Sequence, residues 1–134
     1  MHQLAIFHQK VSSLFNHIGL EPIEKTSKQE AFSLTIDNNF RFYLGLINQF
    51  DWYIFTDLGH INELTQKNIT LLSLLHFNNL TQLRWQPVAV LNQEQHLILW
   101  VRLPLYEINE YELVDIFELL LEKSEQCVAE KIIV

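Results

Sequence analysis

The sequence is poor in the residues that build cofactor loops, disulfide staples and basic surfaces. Its 134 residues include one cysteine, three glycines and three prolines. Nine Lys plus Arg stand against sixteen Asp plus Glu, a formal net charge of −7. A single thiol, Cys127, cannot close an internal disulfide, and it falls in a helical pattern where a small apolar residue would fit. A reducing cytoplasm is the simplest compartment. Gly19, Gly45 and Gly59 are isolated, so no dinucleotide or phosphate loop can be assembled from local sequence. The shortage of cations argues against nucleic acid and anionic membrane, because affinity for phosphate surfaces comes largely from counterion release at basic patches. No apolar run approaches the roughly 18 residues of a membrane span. The opening MHQLAIFHQK lacks the cationic start and the uninterrupted apolar stretch of a secretory signal, so the expected mature protein is the whole chain.

What is present is apolar: 49% of the residues are hydrophobic and 12% aromatic. That excludes a disordered chain, and the length suits one domain, residues 1–134, with a core that needs neither disulfide nor metal. Leu4, Phe7, Val11, Leu14, Phe15 and Ile18 recur at helical spacing and stop at Gly19, predicting a first helix over 2–18. The period then changes to two. Phe32, Leu34 and Ile36 form one strand, Asp37-Asn38-Asn39 a turn, and Phe40, Phe42, Leu44 and Leu46 a second strand. Asp51 to Thr56 predicts a third strand, closed by Asp57-Leu58-Gly59. Short connections make this an antiparallel meander. Thr65 to Leu80 is leucine-rich and apolar on more than one face, which predicts a helix with two packing partners. Trp85–Leu91 and Leu97–Leu103 predict two more strands around Asn92-Gln93-Glu94-Gln95, with apolar side chains on both faces. One face of an antiparallel sheet is normally wet, so something is expected to cover the second. Asn109 with Glu112 resembles a capping box and opens a final helix over 110–130. The expected fold is α+β, a five-stranded twisted antiparallel sheet with three helices in the order α-β-β-β-α-β-β-α.

Catalytic chemistry finds little support. The six histidines, His2, His8, His17, His60, His76 and His96, show no HExxH spacing, and Cys127 has no neighbouring cysteine ligand. No GxSxG element supports an activated serine. Phe32, Phe42, Trp52, Trp85 and Trp100 could line a ligand cavity, although aromatics at strand spacing are ordinary core material. Eight of the sixteen acids lie between Glu107 and Glu130, which reads as a solvated face. The apolar surplus of the middle helix and last strands is more than three helices can cover, and such a surplus marks a protein interface.

Several segments together carry a family resemblance. They are IGLEPI (18–23), FSLTID (32–37), TDLGHI (56–61), LLSLLHFNNL (71–80) and LILWVRLPLYEINEYELVDIFELLLEKSE (97–125). With this element order, the chain resembles the class I type III secretion chaperones, the Tir-chaperone-like family, and within it those serving plant-pathogen effectors. The resemblance implies a bacterial cytoplasmic homodimer joined through the middle helix and fourth strand. Candidate dimer residues are Leu72, Leu75, Trp85, Val88 and Val90. It also implies capture of the N-terminal segment of one secreted effector in extended form, keeping it soluble and export-competent. Candidate groove residues are Phe7, Val11 and Leu14 on the first helix and Phe32, Leu34 and Phe42 on the early strands. Residues in such patterns are core more often than groove, because alternation shows amphipathicity and not which side is covered. The implied partners are a second copy, the effector segment and the secretion-apparatus ATPase, with no cofactor, metal or catalytic residue. Two departures stand out: family members often carry a glycine where this chain has Asn92–Gln95, and Pro87 must sit at an edge or bulge.

Two other readings fit the residues. One is a small-molecule-binding or enzymatic α+β domain with an aromatic pocket. The other is a dimeric adaptor for proteins outside secretion.

Overall fold

A computed structural model describes residues 2–24, 26–36, 39–65, 78 and 83–128. Helix α1 (His2–His17) leads into strands β1 (Ala31–Ile36), β2 (Phe40–Leu46) and β3 (Asp51–His60). Short helix α2 (Ile61–Thr65), strands β4 (Val88–Leu91) and β5 (His96–Pro104), and helix α3 (Glu110–Val128) follow. All strand pairs are antiparallel in one sheet of order β1-β2-β3-β5-β4, so β1 and β4 are its edges. The expected α+β architecture is present. The predicted leucine-rich helix over 65–80, with Leu72 and Leu75, falls almost wholly outside the described residues.

Local chemistry sets the end of α1 and the start of α3. Gly19 takes φ +84°, a left-handed conformation that glycine adopts without a Cβ penalty. The Gly19 N–H donates to Asn16 O at 3.3 Å and the Leu20 N–H to Phe15 O at 2.8 Å, the paired bonds of a Schellman C-cap. Asn109 and Glu112 form the expected capping box: Glu112 N–H donates to Asn109 Oδ1 at 2.8 Å, and Asn109 N–H to Glu112 Oε1 at 3.4 Å.

The core lies between one face of the sheet and the helices α1 and α3. Phe7, Val11 and Leu14 from α1, Leu113, Ile116, Phe117 and Leu120 from α3, and Leu34, Phe42, Leu44, Trp52, Ile54, Leu99, Val101 and Leu103 from the strands form one buried cluster. Phe42 and Phe117 rings stand 5.1 Å apart, and Phe7 meets Trp52 edge-on at 5.7 Å. Trp52 Nε1 is buried without a hydrogen-bond partner among the described residues. Such an orphan donor costs about 1–3 kcal/mol. Burying roughly 200 Å² of indole returns about 5 kcal/mol at 25 cal/mol per Å², so the site remains favourable. Lys10 Nζ, donating to Ile108 O at 2.6 Å, ties α1 to the loop before α3.

Two strand boundaries correct the sequence reading. β3 does not close at Asp57. It runs to His60 through an irregularity between Asp57 and His60, where Asp57 Oδ1 accepts the Gly59 N–H at 2.8 Å. β4 starts at Val88 rather than Trp85, directly after Pro87, whose position has the same outward parity as Ala89 and so suits a residue without an N–H. The hairpin that departs from glycine use places Gln95 at φ 64°. Asn92 compensates: its Oδ1 accepts the N–H groups of Glu94 at 3.0 Å and His96 at 2.9 Å. Gln95→Gly is therefore expected to stabilise the domain by about 1 kcal/mol, since glycine relieves the left-handed strain. A raised urea midpoint with unchanged slope is the expected observation.

Candidate functional site

The sheet face turned away from α1 and α3 carries an aromatic row built by strand register. Tyr43 on β2 pairs with Phe55 on β3, Phe55 with Trp100 on β5, and Trp100 with Val88 on β4. Side chains at these positions share one face because strand residues alternate with period two. Tyr43 and Phe55 stack at 4.9 Å between centroids, and Tyr53 stacks on Phe55 at 5.6 Å. Gly45 faces Tyr53 across the ladder, and a Cβ there would collide with the Tyr53 ring. Glycine thus lets that ring lie flat across β2. A shallow depression of about 480 Å³ opens among Ile47, Tyr53, Phe55, Val90, Ile98 and Trp100. Two exposed polar pairs flank it, the Asp51–Arg102 ion pair at 2.8 Å and the Asp57–His96 contact at 2.9 Å. Exposed pairs of this kind contribute about 1 kcal/mol or less, so they frame the face more than they stabilise it.

The second feature is the β1 edge. Leu46 N–H donates to Glu30 O, so Phe32, Leu34 and Ile36 pair inward with β2 while Ser33 and Thr35 direct main-chain groups outward. Among the described residues nothing bonds those outward groups. A depression of about 280 Å³, lined by Ile18, Leu20, Ile36, Phe117 and Leu121, lies beside this edge, and a second lies around Phe15, Ile23 and Phe32.

Among the described residues singled out from sequence, Val88 and Val90 share the aromatic face and Phe32 lies at the β1 edge, while most of the rest are not brought to either surface. Phe7, Val11, Leu14, Leu34 and Phe42 are fully or almost fully buried in the core. As groove residues they are corrected: their apolar faces hold α1 and α3 on the sheet. Phe32 is half-buried at the β1 edge, near Phe7 at 5.9 Å and Phe15 at 6.2 Å. Leu72 and Leu75 lie outside the described residues. Trp85 is half-buried, with the Arg84 guanidinium 4.4 Å from its ring centre. Val88 is half-buried on the aromatic face and Val90 is exposed there. Sequence reasoning missed Tyr43, Tyr53, Phe55 and Ile98. The available signal was their strand parity, opposite to that of Phe42, Trp52 and Ile54.

Arg84 also grips the first turn of α3, donating from Nε and Nη2 to the two Glu112 oxygens at 2.8 and 2.6 Å. Hydrogen bonding from Arg84, helped by the Asn109 N–H, holds the Glu112 carboxyl below the usual carboxylate range. A carboxyl depressed in the folded state contributes stability above its unfolded value and loses it as pH falls through the folded one. Glu112→Gln is thus expected to lower the urea midpoint at pH 7, with the difference from wild type vanishing in acid. A pH-independent difference would contradict this.

Reactive groups are few. Burial pushes the Cys127 thiol up to about 12, which leaves it un-ionised and a poor nucleophile. Among the described residues no three His, Cys, Asp or Glu side chains are grouped to hold a metal. What the surfaces can do is bind polypeptide: one offers apolar area, the other a strand edge.

Comparison with known proteins agrees with that arrangement. The model of the Tir chaperone protein (CesT) family matches residues 9–127. The chain belongs to the Tir chaperone (CesT) family. The CesT-family fold is shared with the Yersinia pestis type III secretion chaperone SycH, solved with a fragment of YscM2. That likeness has a TM-score of 0.67 at 22% identity and covers 93% of this chain and 98% of that one. SpcU, solved in the heterodimeric ExoU–SpcU complex of the Pseudomonas aeruginosa type III secretion system, gives 0.69 at 15% identity, covering 90% and 96%. The HopA1–SchA chaperone–effector complex gives 0.68 at 14% identity, covering 93% and 94%. No curated protein sequence matches the chain. Among the described residues of this CesT-family chain, no helix is long and apolar enough to cross a membrane.

Proposed function

We propose that this chain is a type III secretion chaperone. It binds the N-terminal chaperone-binding segment of a cognate effector in extended form and keeps it soluble and export-competent in the bacterial cytoplasm. The observation that carries this reading is the family match over residues 9–127, on a chain whose apolar surfaces suit polypeptide rather than a small molecule. The depression on the aromatic face is wide and shallow, unlike the enclosed cavities that bury small ligands.

The two surfaces divide the work. The aromatic face is continuous with β4, so we assign it to a second copy: Val88, Val90, Ile98 and Trp100 form the side-chain part of a homodimer interface, with Leu72 and Leu75 as its proposed helical part. The β1 edge and its flanking depressions take the effector segment, with main-chain bonds to Ser33 and Thr35 and apolar anchors beside Phe32 and Ile36. Phe32 thus remains a binding residue, while Phe7, Val11, Leu14, Leu34 and Phe42 support the site from beneath. The chain itself turns nothing over, and the loaded complex is what the secretion-apparatus ATPase would receive.

Coexpression with each secreted protein found encoded beside its gene tests this reading. A stable complex is expected that survives trimming of the effector to its N-terminal region, and that weakens about tenfold or more in Phe32→Glu. Phe32→Glu binding equal to wild type would remove β1 from the site. Failure of every neighbouring secreted protein to join the chaperone would remove the function.

A further inference from the structure

The two edges of the sheet are not equivalent. Asn92 N–H donates to His96 O across the last hairpin, so Val88 and Val90 pair inward with β5 and Ala89 turns its N–H and C=O away from the sheet. Those groups do not face an empty edge. The Asn78 carboxamide meets both: Oδ1 accepts the Ala89 N–H at 2.6 Å, and Nδ2 donates to Ala89 O at 3.3 Å. One side chain reproduces the pair of bonds that a neighbouring strand would make. Two residues earlier, Pro87 has no N–H to offer, and Lys123 Nζ donates to its carbonyl at 3.4 Å.

This edge has reason to be closed. Val90 and Leu91 are 40% and 44% exposed, so an unprotected β4 would combine apolar side chains with free main-chain groups. That combination templates pairing with another chain, and two β4 strands could join antiparallel into one continuous sheet. By contrast, nothing among the described residues occupies the outward groups of Ser33 and Thr35 on β1.

We propose that Asn78 is an edge plug: by occupying the outward main-chain groups of Ala89 it closes β4 to strand pairing with a second copy of the chain. Copies of this protein then meet through side chains of the aromatic face, and β1 is left as the edge that accepts an added strand. The inference rests on the chaperone reading only for the use made of β1; the plug itself is independent of it.

Hydrogen exchange at the Ala89 amide, with mass measured by light scattering across a concentration series, tests the plug on the full chain. Asn78→Ala should speed Ala89 exchange about tenfold or more and give species heavier than wild type that grow with concentration. Asn78→Asp keeps an acceptor for the Ala89 N–H but sets an oxygen against Ala89 O in place of Nδ2, so its exchange should fall between wild type and Asn78→Ala. Unchanged Ala89 exchange in a folded Asn78→Ala protein would overturn the plug. Faster exchange with wild-type mass at every concentration would overturn its guarding role. A wild-type monomer would contradict the proposed dimer while leaving the exchange result to decide the plug.

Discussion

Phe7→Glu is expected to unfold the domain rather than to weaken partner binding selectively. Phe7 is fully buried and touches both Trp52 and Phe32. Truncating a buried phenylalanine costs about 3–5 kcal/mol. Replacing it with a carboxylate adds the cost of burying a charge without a partner, which is larger still unless the group takes up a proton. Against a total stability of about 5–15 kcal/mol for a domain of this kind, little or none remains. Far-ultraviolet circular dichroism and urea titration should show lost cooperative unfolding at neutral pH. A folded Phe7→Glu protein that fails only to bind its partner would instead return Phe7 to a groove and invalidate the packing of α1 described above. Phe32→Glu is the control from the same cluster: Phe32 is half-buried at the edge, so its charge can reach water.

Trp100→Glu is expected to do the opposite, leaving the fold largely intact while breaking the dimer. Trp100 lies on the face that no described helix covers, between Phe55 and Val88 in register. Its replacement removes little from the core and gives the new carboxylate access to solvent in the single chain. In a dimer closed over this face the same carboxylate would be desolvated at the centre of an apolar interface. Central tryptophans are frequent hot spots worth at least about 2 kcal/mol, and an unpaired charge adds to that. The dissociation constant should rise about 100-fold or more, a change of about 3 kcal/mol at 1.4 kcal/mol per factor of ten. Sedimentation or light scattering should find a monomer with a near-native circular dichroism spectrum. A Trp100→Glu protein with wild-type mass throughout the concentration series would remove the aromatic face from the interface. Leu72→Glu, on the proposed helical part, should shift the same equilibrium in the same direction.

These two substitutions separate what the sequence makes legible from what it hides. Local chemistry is readable: Gly19 ends α1, Asn109 and Glu112 cap α3, and the alternation from Phe32 to Leu46 gives strands β1 and β2. Pro87 marks the residue before β4. Facing is harder to read, because β3 and β5 are apolar at both parities. Trp52 and Ile54 alternate with Tyr53 and Phe55, and Leu97, Leu99 and Val101 with Ile98 and Trp100. Periodicity assigns residues to two sets without saying which set the helices cover. The polar partners of Phe32, Leu34 and Phe42, namely Ser33, Thr35 and Arg41, made the helix-covered set look like the available one. Long-range packing decides it, through contacts such as Phe42 with Phe117, which are 75 residues apart in the chain. The plug at β4 is equally hidden, since Asn78 sits in a run where either of two adjacent asparagines could have turned toward the sheet.

The acidic character takes its place in the same picture. Glu110, Asp115, Glu118, Glu122 and Glu125 project from the exposed side of α3, opposite its buried leucines. They keep solvated a protein whose other faces are apolar, and they account for the charge balance without any cationic ligand.

The most direct test of the account is the mass and hydrogen exchange of the chaperone with the N-terminal segment of its cognate effector. The predicted result is a complex of two chaperone chains and one effector segment. Slowed exchange should be confined to the β1 edge, at Ser33 and Thr35, while the bound effector segment gains protection only where it lies against the chaperone. A complex in which β1 exchange is unchanged and the effector binds only as a folded domain would contradict it.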